Sequence, residues 1–193
     1  MNREKWLSEC IRKLRNDFVE TGFVLPDKIR ASCSWPSRGG LARKSRTLGE
    51  AWPSKRSGDN TFEVFVSPTL TDPAEVSATL VHELCHCAVG LECRHKGNFR
   101  TCAKRIGLEG KMTATNAGKE LAERLSILTA EIGPYPHAAL DGGYAPPKQT
   151  TRMRKVTCES CGCVARMTRK WLDEVGPPVC ACGIQMREQE AAE

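Results

Sequence analysis

Apolar residues recur at helical spacing at the start of the chain and at strand spacing directly after it. From residue 3 to residue 21 they return every three or four positions, and Gly22 follows as a stop signal, which predicts an amphipathic helix. Segment 28–35 alternates between apolar and polar positions, segment 61–66 is typical of a strand, and the more ambiguous segment 41–52 is interpreted as another strand that ends near Trp52. The three strands predict a small antiparallel sheet packed on helices.

A longer apolar run, 74–90, carries clear helix boundary signals. Asp72 can cap the first turn, and Pro73 suits the first helical position. Two further helices are predicted at 98–106 and 116–131, where leucines form an apolar stripe on the second helix. Together with the strands, these helices predict an α+β domain.

The chain then changes character. Residues 133–149 hold four prolines and three glycines, which indicates a linker or an extended wrap. Most of the remaining sequence organises around closely spaced cysteines. We therefore expect a first domain at 1–147 and a smaller module at 148–193.

One motif inside the 74–90 helix has obvious chemistry, because residues 82 to 86 read H-E-L-C-H. Residues four apart lie on one helix face, so His82 and His86 can bind one metal ion, usually zinc. Glu83 is the residue that takes a proton from zinc-bound water in metallopeptidases. Three fixed letters can match by chance, but the apolar helix and a third nearby histidine argue against chance here.

A catalytic zinc site usually has three protein ligands. His95 follows the helix after a short loop and is the preferred third ligand, since zinc sites favour imidazole. Glu92 is the alternative, because it stands six residues after His86, where the metzincin pattern H-E-x-x-H-x-x-G-x-x-H places its third ligand. Val89, however, occupies the position of the glycine that this pattern requires.

The C-terminal module contains two cysteine pairs that resemble the two knuckles of a zinc ribbon. The predicted ligands of a structural zinc ion are Cys158, Cys161, Cys180 and Cys182, with Cys163 as a spare thiol. So short a segment cannot bury a large core, and bound metal would have to supply its folding energy. A redox dithiol is the competing interpretation, but the sequence has no thioredoxin-like βαβ context.

Composition adds compartment and charge to this picture. The chain has 193 residues and eleven cysteines, and no apolar run of membrane-spanning length. Its N-terminus is charged and lacks the apolar region of a secretory signal. We therefore expect a cytoplasmic protein of bacterial or phage origin, in which clustered cysteines indicate metal rather than disulfides.

The net charge of +6 is compatible with a nucleic-acid partner. Basic residues bracket the cysteine module, and Trp171 could stack on bases; the alternative is that Trp171 and Leu172 pack under the ribbon. The candidate nucleic-acid contacts are Arg152, Arg154, Lys155, Arg166, Arg169 and Lys170.

The motif at 82–86, followed by the sequence H-K-G-N-F from His95 to Phe99, resembles the SprT-like zinc metallopeptidases, a family that includes Spartan-type enzymes. The family pattern is H-E-x-x-H, a variable loop, and H-G-x-x-F ahead of a helix. Phe99 keeps its spacing from His95, whereas Gly97 lies one place later than the usual glycine. The resemblance covers roughly residues 60–110 and fits a protease core followed by a zinc-binding module.

The resemblance implies a zinc endopeptidase fold, with His82, His86 and His95 as ligands of a catalytic zinc and Glu83 as general base. Spartan-type relatives cleave proteins crosslinked to DNA, so the expected partners are a protein or peptide substrate and DNA. A further donor would stabilise the oxyanion of the reaction. The candidate donors in the sequence are Tyr135, His137 and Tyr144.

Two other functions remain open from the sequence. One is a nucleic-acid-binding or transcription-associated protein whose H-E-x-x-H helix holds zinc without catalysis, although a structural site has no need of Glu83 as a base. The other is a scaffold with two structural zinc ions, in which Cys93 or Glu92 would complete a closed core site.

Overall fold

The computed structural model describes residues 1–42, 44–141 and 153–188. The chain divides into two compact units, residues 1–144 and 145–193. Helices and small sheets occur together, which confirms the α+β class. Within the described ranges, no helix is both long enough and apolar enough to cross a membrane.

The described part of the first unit contains four α-helices and two small sheets. Its helices are α1 (Arg3–Glu20), α2 (Pro73–Val89), α3 (Asn98–Ile106) and α4 (Lys119–Ile132). Its strands are β1 (Ile29–Cys33), β2 (Gly49–Trp52), β3 (Phe62–Val66), β4 (Leu108–Lys111) and β5 (Ala114–Ala117). Every helix predicted from the pattern is present, and α4 begins a few residues later than expected.

The two longest helices form where the sequence supplies both caps and a buried stripe. The side chain of Asn2 accepts a hydrogen bond from the N–H of Lys5 at the start of α1, and Asp72 does the same for Ala74 at the start of α2. Gly90 ends α2 with a φ of 84°, which side chains rarely tolerate. The buried stripe of α1 consists of Trp6, Leu7, Cys10, Ile11, Leu14 and Phe18.

The first sheet is mixed, so the prediction of an antiparallel sheet is wrong. Its strand order is β1-β3-β2, with β3 parallel to β1 and antiparallel to β2. β1 and β2 therefore lie at opposite edges of the sheet, and β3 lies between them. Alternation of apolar and polar residues fixes the buried face of a strand but not its direction, so the sequence pattern could not distinguish the two arrangements.

The hairpin of β4 and β5 was not predicted. Leu108 pairs with Ala117 and Lys111 with Ala114 in an antiparallel register. The segment is mostly polar, contains a glycine, and has Thr113 and Thr115 as its only β-branched residues, so its strand signal is weak. Because Ala114–Ala117 pair as a strand, α4 cannot begin at residue 116.

Residues 133–141, predicted as a linker or an extended wrap, pack back on the first unit. The indole N–H of Trp6 donates to the carbonyl of Gly133 at 2.9 Å. The N–H of Leu140 and the Nε2 of His137 both lie 2.8 Å from the carbonyl oxygen of Pro68. This part of the predicted linker therefore belongs to the first unit.

The described part of the second unit is a three-stranded sheet with one short helix. It comprises β6 (Arg154–Thr157), β7 (Val164–Met167), α5 (Arg169–Val175) and β8 (Arg187–Glu188), with strand order β7-β6-β8. Its buried cluster is small and consists of Val156, Cys158, Cys180 and Met186. The domain boundary expected near residue 148 lies outside the described residues.

Candidate metal centres

Three imidazoles converge on one point in the first unit. The Nε2 atom of His95 lies 3.3 Å from the Nε2 atoms of both His82 and His86. One ligand atom from each of the three lies within 4.8 Å of the others, so the group could hold a metal ion. Helix α2 supplies two of these side chains from successive turns of one face, as the four-residue spacing predicts.

Hydrogen bonding and burial prepare His82 to act as a ligand. Its Nδ1 lies 2.8 Å from the hydroxyl of Thr115 on β5. If Nδ1 carries the proton and donates to that hydroxyl, the lone pair of Nε2 is free to face a metal. Burial, followed by the charge of His95, lowers the pKa of His82 to about 4. Burial also lowers the pKa of His86 to about 3, so both imidazoles are neutral at pH 7.

Phe99 on α3 is the common packing partner of the three histidines. Its ring stacks on His86 with centroids 4.2 Å apart, and it lies 5.1 Å from His82 and 5.0 Å from His95. The side chain is fully buried. Phe99, the last residue of the H-K-G-N-F sequence, therefore forms one wall of the histidine site.

The loop between α2 and α3 brings His95 back over the helix. Gly90, Arg94 and Gly97 all have positive φ angles, and Arg94 at 48° is the non-glycine among them. A residue with a side chain rarely adopts this backbone conformation, and such strain concentrates at functional sites. The turn at Arg94 immediately precedes the candidate ligand His95.

The competing ligand Glu92 lies elsewhere. Its carboxylate is 3.8 Å from the ammonium group of Lys55, and 76% of the side chain is exposed. Cys93, the other candidate for a fourth ligand, has its sulfur 3.6 Å from the carbonyl of Val89. Among the described residues, the core group consists of three histidines. Such a set leaves one position of a tetrahedral zinc site for water or substrate.

Glu83 points to the sheet and is almost completely buried. The N–H of Ala51 on β2 donates to its carboxylate. Burial, with the charge of Glu50 as the second cause, raises the pKa of Glu83 to about 8. A Cβ atom at Gly49 would lie 2.5 Å from its Oε1, so the close approach of β2 requires glycine there. Neither Gly49 nor Thr115 was singled out from the sequence, because both depend on which strand lies beside α2.

The predicted oxyanion donors do not join the histidine group. His137 lies 3.2 Å from Arg3 through its Nδ1 and bonds Pro68 through Nε2. Tyr135 is buried with its ring 5.0 Å from that of Trp6. These contacts give both residues a role in holding 133–141 on the first unit. Tyr144 lies outside the described residues.

The second unit brings together the four predicted cysteines. Sulfur atoms lie 3.4 Å apart in the pairs Cys158–Cys182 and Cys161–Cys180, and all four lie within 4.8 Å of one another. Cys163 is not a member of this group. The C-x-C pair lies in a tight turn, in which the N–H of Gly183 donates to the carbonyl of Cys180 at 2.8 Å.

Backbone N–H groups favour the thiolate form at two of the four cysteines, Cys158 and Cys180, whereas the pKa values of Cys161 and Cys182 are raised, that of Cys182 mainly by its contact with the Cys158 thiol. The N–H of Cys161 is the main cause that lowers the pKa of Cys158, and the N–H of Cys182 lowers that of Cys180 to about 7. Thiolate is the form of cysteine that binds metal. Four such donors fit a closed tetrahedral zinc site.

The basic residues of the second unit fall into two groups. Arg154, Arg169 and Lys170 form ion pairs with Glu188, Asp173 and Glu174 respectively. Lys155 and Arg166 form none with any described residue, and they face each other directly across β6 and β7. Arg152 lies outside the described residues. Trp171 is 51% exposed, whereas Leu172 packs on the buried cluster, so only Leu172 lies under the ribbon.

Comparison with known proteins adds no assignment at this point. The chain matches no family model, no curated protein and no solved structure.

Proposed function

We propose that the chain is a zinc-dependent endopeptidase of the SprT-like type. The observation that carries this proposal is the convergence of three imidazoles beside the helix turn that also presents Glu83. The donor set fits zinc, because it supplies three nitrogen ligands and leaves one position open. The likeness of the motifs at 82–86 and 95–99 to that family supports the same function.

The proposed chemistry assigns a separate task to each residue. A bound zinc ion would supply an activated water and polarise the scissile carbonyl. His82, His86 and His95 hold the ion, and Thr115 keeps the His82 ring in the orientation for binding. Glu83 accepts the proton of the attacking water and returns it to the leaving amine.

The edge of the first sheet offers a place for an extended substrate. β2 is an edge strand, and among the described residues it pairs only with β3. Ala51 of this strand donates to Glu83, so a peptide added along β2 would run beside the general base. We propose protein substrates, including DNA-associated or DNA-crosslinked proteins as the family resemblance implies.

Zinc content and proteolysis of the double variant His82→Ala/His86→Ala test the proposal. Wild type should contain two zinc ions per chain by elemental analysis and cleave an unfolded protein such as reduced casein. The double variant should retain one ion, in the cysteine module, and cleave nothing. One ion in both proteins would mean that the α2 histidines hold no metal, and the peptidase function would be abandoned.

A second candidate function, nucleic-acid binding by the second unit, rests on the Lys155–Arg166 pair. Like charges directly opposite on neighbouring strands destabilise a sheet unless an anion lies between them. Phosphate would supply that anion. This surface could recruit DNA-bound substrates to the peptidase, or bind nucleic acid in a protein without catalysis.

Matched charge removal tests this second function. Lys155→Gln/Arg166→Gln should weaken binding of a fluorescent single-stranded oligonucleotide and reduce the salt dependence of binding. Arg169→Gln/Lys170→Gln removes the same charge from residues already paired with carboxylates and should have the smaller effect. Equal effects of the two double variants would contradict a specific role for the β6–β7 surface.

A further inference from the structure

A groove of about 960 Å³ opens beside the third histidine of the candidate site. His95 forms part of its wall, and the rest comes mainly from α3, β4 and the turn after β4. Apolar contributions come from Leu108 and Met112. The groove is distinct from the edge of β2, which lies on the Glu83 side of α2.

Three cations line this groove without partners. Lys96, Arg100 and Lys104 are exposed, and none of them forms an ion pair with a carboxylate of the described residues. Arg100 and Lys104 stand four residues apart on one face of α3, which places them about 6 Å apart along the helix. Lys96 extends the row to the residue next to His95.

We propose that this groove selects substrates with acidic side chains close to the scissile bond, and this inference rests on the proposed peptidase function. Side chains on the same side of an extended peptide are about 6.6–6.8 Å apart, which matches the spacing of the cations on α3. A peptide held at the histidine site would pass His95 and enter the groove. Its carboxylates would meet Arg100 and Lys104, while apolar side chains would contact Leu108 and Met112.

The groove lining favours an acidic peptide over a nucleic acid. Glu109 lies in the same wall, with its carboxylate turned to the backbone of Gly118, and would repel a continuous chain of phosphates. A peptide with isolated acidic residues can avoid that contact. The mixture of cations and apolar side chains also suits a polypeptide, which offers both kinds of group.

The test compares two peptide substrates that differ only in charge. A cleavable fluorogenic peptide carries Glu at alternate positions beyond the scissile bond, and its partner carries Gln there. Full-length wild type should show the higher kcat/KM on the Glu peptide. At about 0.2–1 kcal/mol for each exposed ion pair, two contacts predict a preference of about twofold to thirtyfold.

Charge-neutral variants assign the preference to the groove. Arg100→Gln/Lys104→Gln should reduce the preference to near one, chiefly by lowering kcat/KM on the Glu peptide. Lys5→Gln/Lys119→Gln is the matched control, since it removes two exposed cations outside the groove. Arg100→Glu/Lys104→Glu should reverse the preference in favour of a lysine-containing peptide. Equal melting temperatures would exclude unfolding as the cause.

A binding measurement separates failure of this inference from failure of the proposed function. Fluorescence anisotropy of labelled Glu and Gln peptides is recorded on zinc-loaded Glu83→Gln and on the same protein with the groove charges removed. If wild type cleaves both peptides equally well, the selectivity is refuted while the peptidase function stands. If wild type cleaves neither peptide, the proposed peptidase function fails. In that case, weaker binding of the Glu peptide when Arg100 and Lys104 are neutralised, with no change for the Gln peptide, would still support recognition of acidic peptides. Displacement of the Glu peptide by an oligonucleotide that itself requires Arg100 and Lys104 would overturn the inference.

Discussion

The two candidate metal centres are built in opposite ways. Two of the three histidines lie on a long helix within a large buried core, and all three rings pack on the fully buried Phe99. The cysteine group lies on two tight turns beside a cluster of four buried residues, two of which are cysteines of the site itself. In the first unit the buried core positions the histidines without any metal. In the second unit the buried cluster is so small that metal binding must stabilise the fold.

This difference indicates different uses for metal. A core that exists without the ion can hold an open coordination position for chemistry, because the remaining ligands stay in place. A ribbon that depends on the ion needs all four ligands and has none to spare. The comparison therefore supports a reactive ion in the first unit and a structural ion in the second.

Metal removal should produce the largest contrast between the units. In the presence of a strong chelator we expect the amides of β6 and β7 to lose their protection from hydrogen exchange, because the small buried cluster cannot stabilise the sheet alone. The amides of α1 and α2 should remain protected. Hydrogen exchange with mass spectrometry measures both in one sample. A ribbon that stays protected without metal would remove the distinction between the units.

Substitution of Phe99, the ring that packs on all three histidines, should have the next largest effect. Phe99→Ala should destabilise the first unit by about 3–5 kcal/mol and also weaken its zinc affinity, since the ring contacts all three histidines. Phe18→Ala removes an equally buried ring away from the site and should cost similar stability without changing zinc affinity. Chemical denaturation and competition with a fluorescent zinc chelator give the two values. Equal zinc affinities for the two variants would show that the ring does not organise the site.

Removal of the Thr115 hydroxyl tests whether its hydrogen bond orients the candidate ligand His82. Thr115→Val keeps the shape but removes the partner of His82 Nδ1, so we expect zinc affinity of the core site to fall by about 10–100-fold. Thr129→Val is the control, because its hydroxyl bonds a carbonyl within α4. Zinc competition at constant pH measures the change. An unchanged affinity would mean that packing alone orients the His82 ring.

The close approach of β2 to Glu83 leads to the smallest and most local of the expected effects. In Gly49→Ala the new methyl group collides with Glu83, so the carboxylate must move while the three histidines stay in place. We expect a stability loss of about 1–3 kcal/mol, lower kcat and normal zinc content. Gly58→Ala is the control, since a Cβ there meets nothing within 4 Å. Unchanged kcat in Gly49→Ala would argue against the catalytic position of Glu83.

Much of the molecule follows from local sequence signals. Helices α1 and α2 were predictable because caps and apolar spacing agree, and the cysteine and histidine groups were predictable because metal ligands have characteristic spacings. The direction of β3 relative to β1 was not predictable, because apolar and polar residues alternate in the same way in parallel and antiparallel strands. The roles of Gly49 and Thr115 were also hidden, because each depends on a strand that approaches α2 from a distant part of the sequence.

The groove beside His95 shows the same limit. Arg100 and Lys104 are visible in the sequence as polar positions of a short helix and Lys96 as part of the loop before it, and charged residues are ordinary in both places. They line a groove only because the β4–β5 hairpin forms its other wall, and the sequence did not predict that hairpin. Tertiary contacts, rather than residue types, convert these cations into a candidate specificity site.

The most direct test of the account is the substitution Glu83→Gln, measured together with zinc content. The amide keeps the size of the side chain but cannot accept the proton of the attacking water. We predict two zinc ions per chain, as in wild type, and a fall in kcat on reduced casein of at least about a hundredfold. Glu75→Gln, on the exposed surface of the same helix, should leave both unchanged. Glu83→Gln protein that retains its zinc and cleaves casein at the wild-type rate would contradict the assignment of Glu83 as the general base.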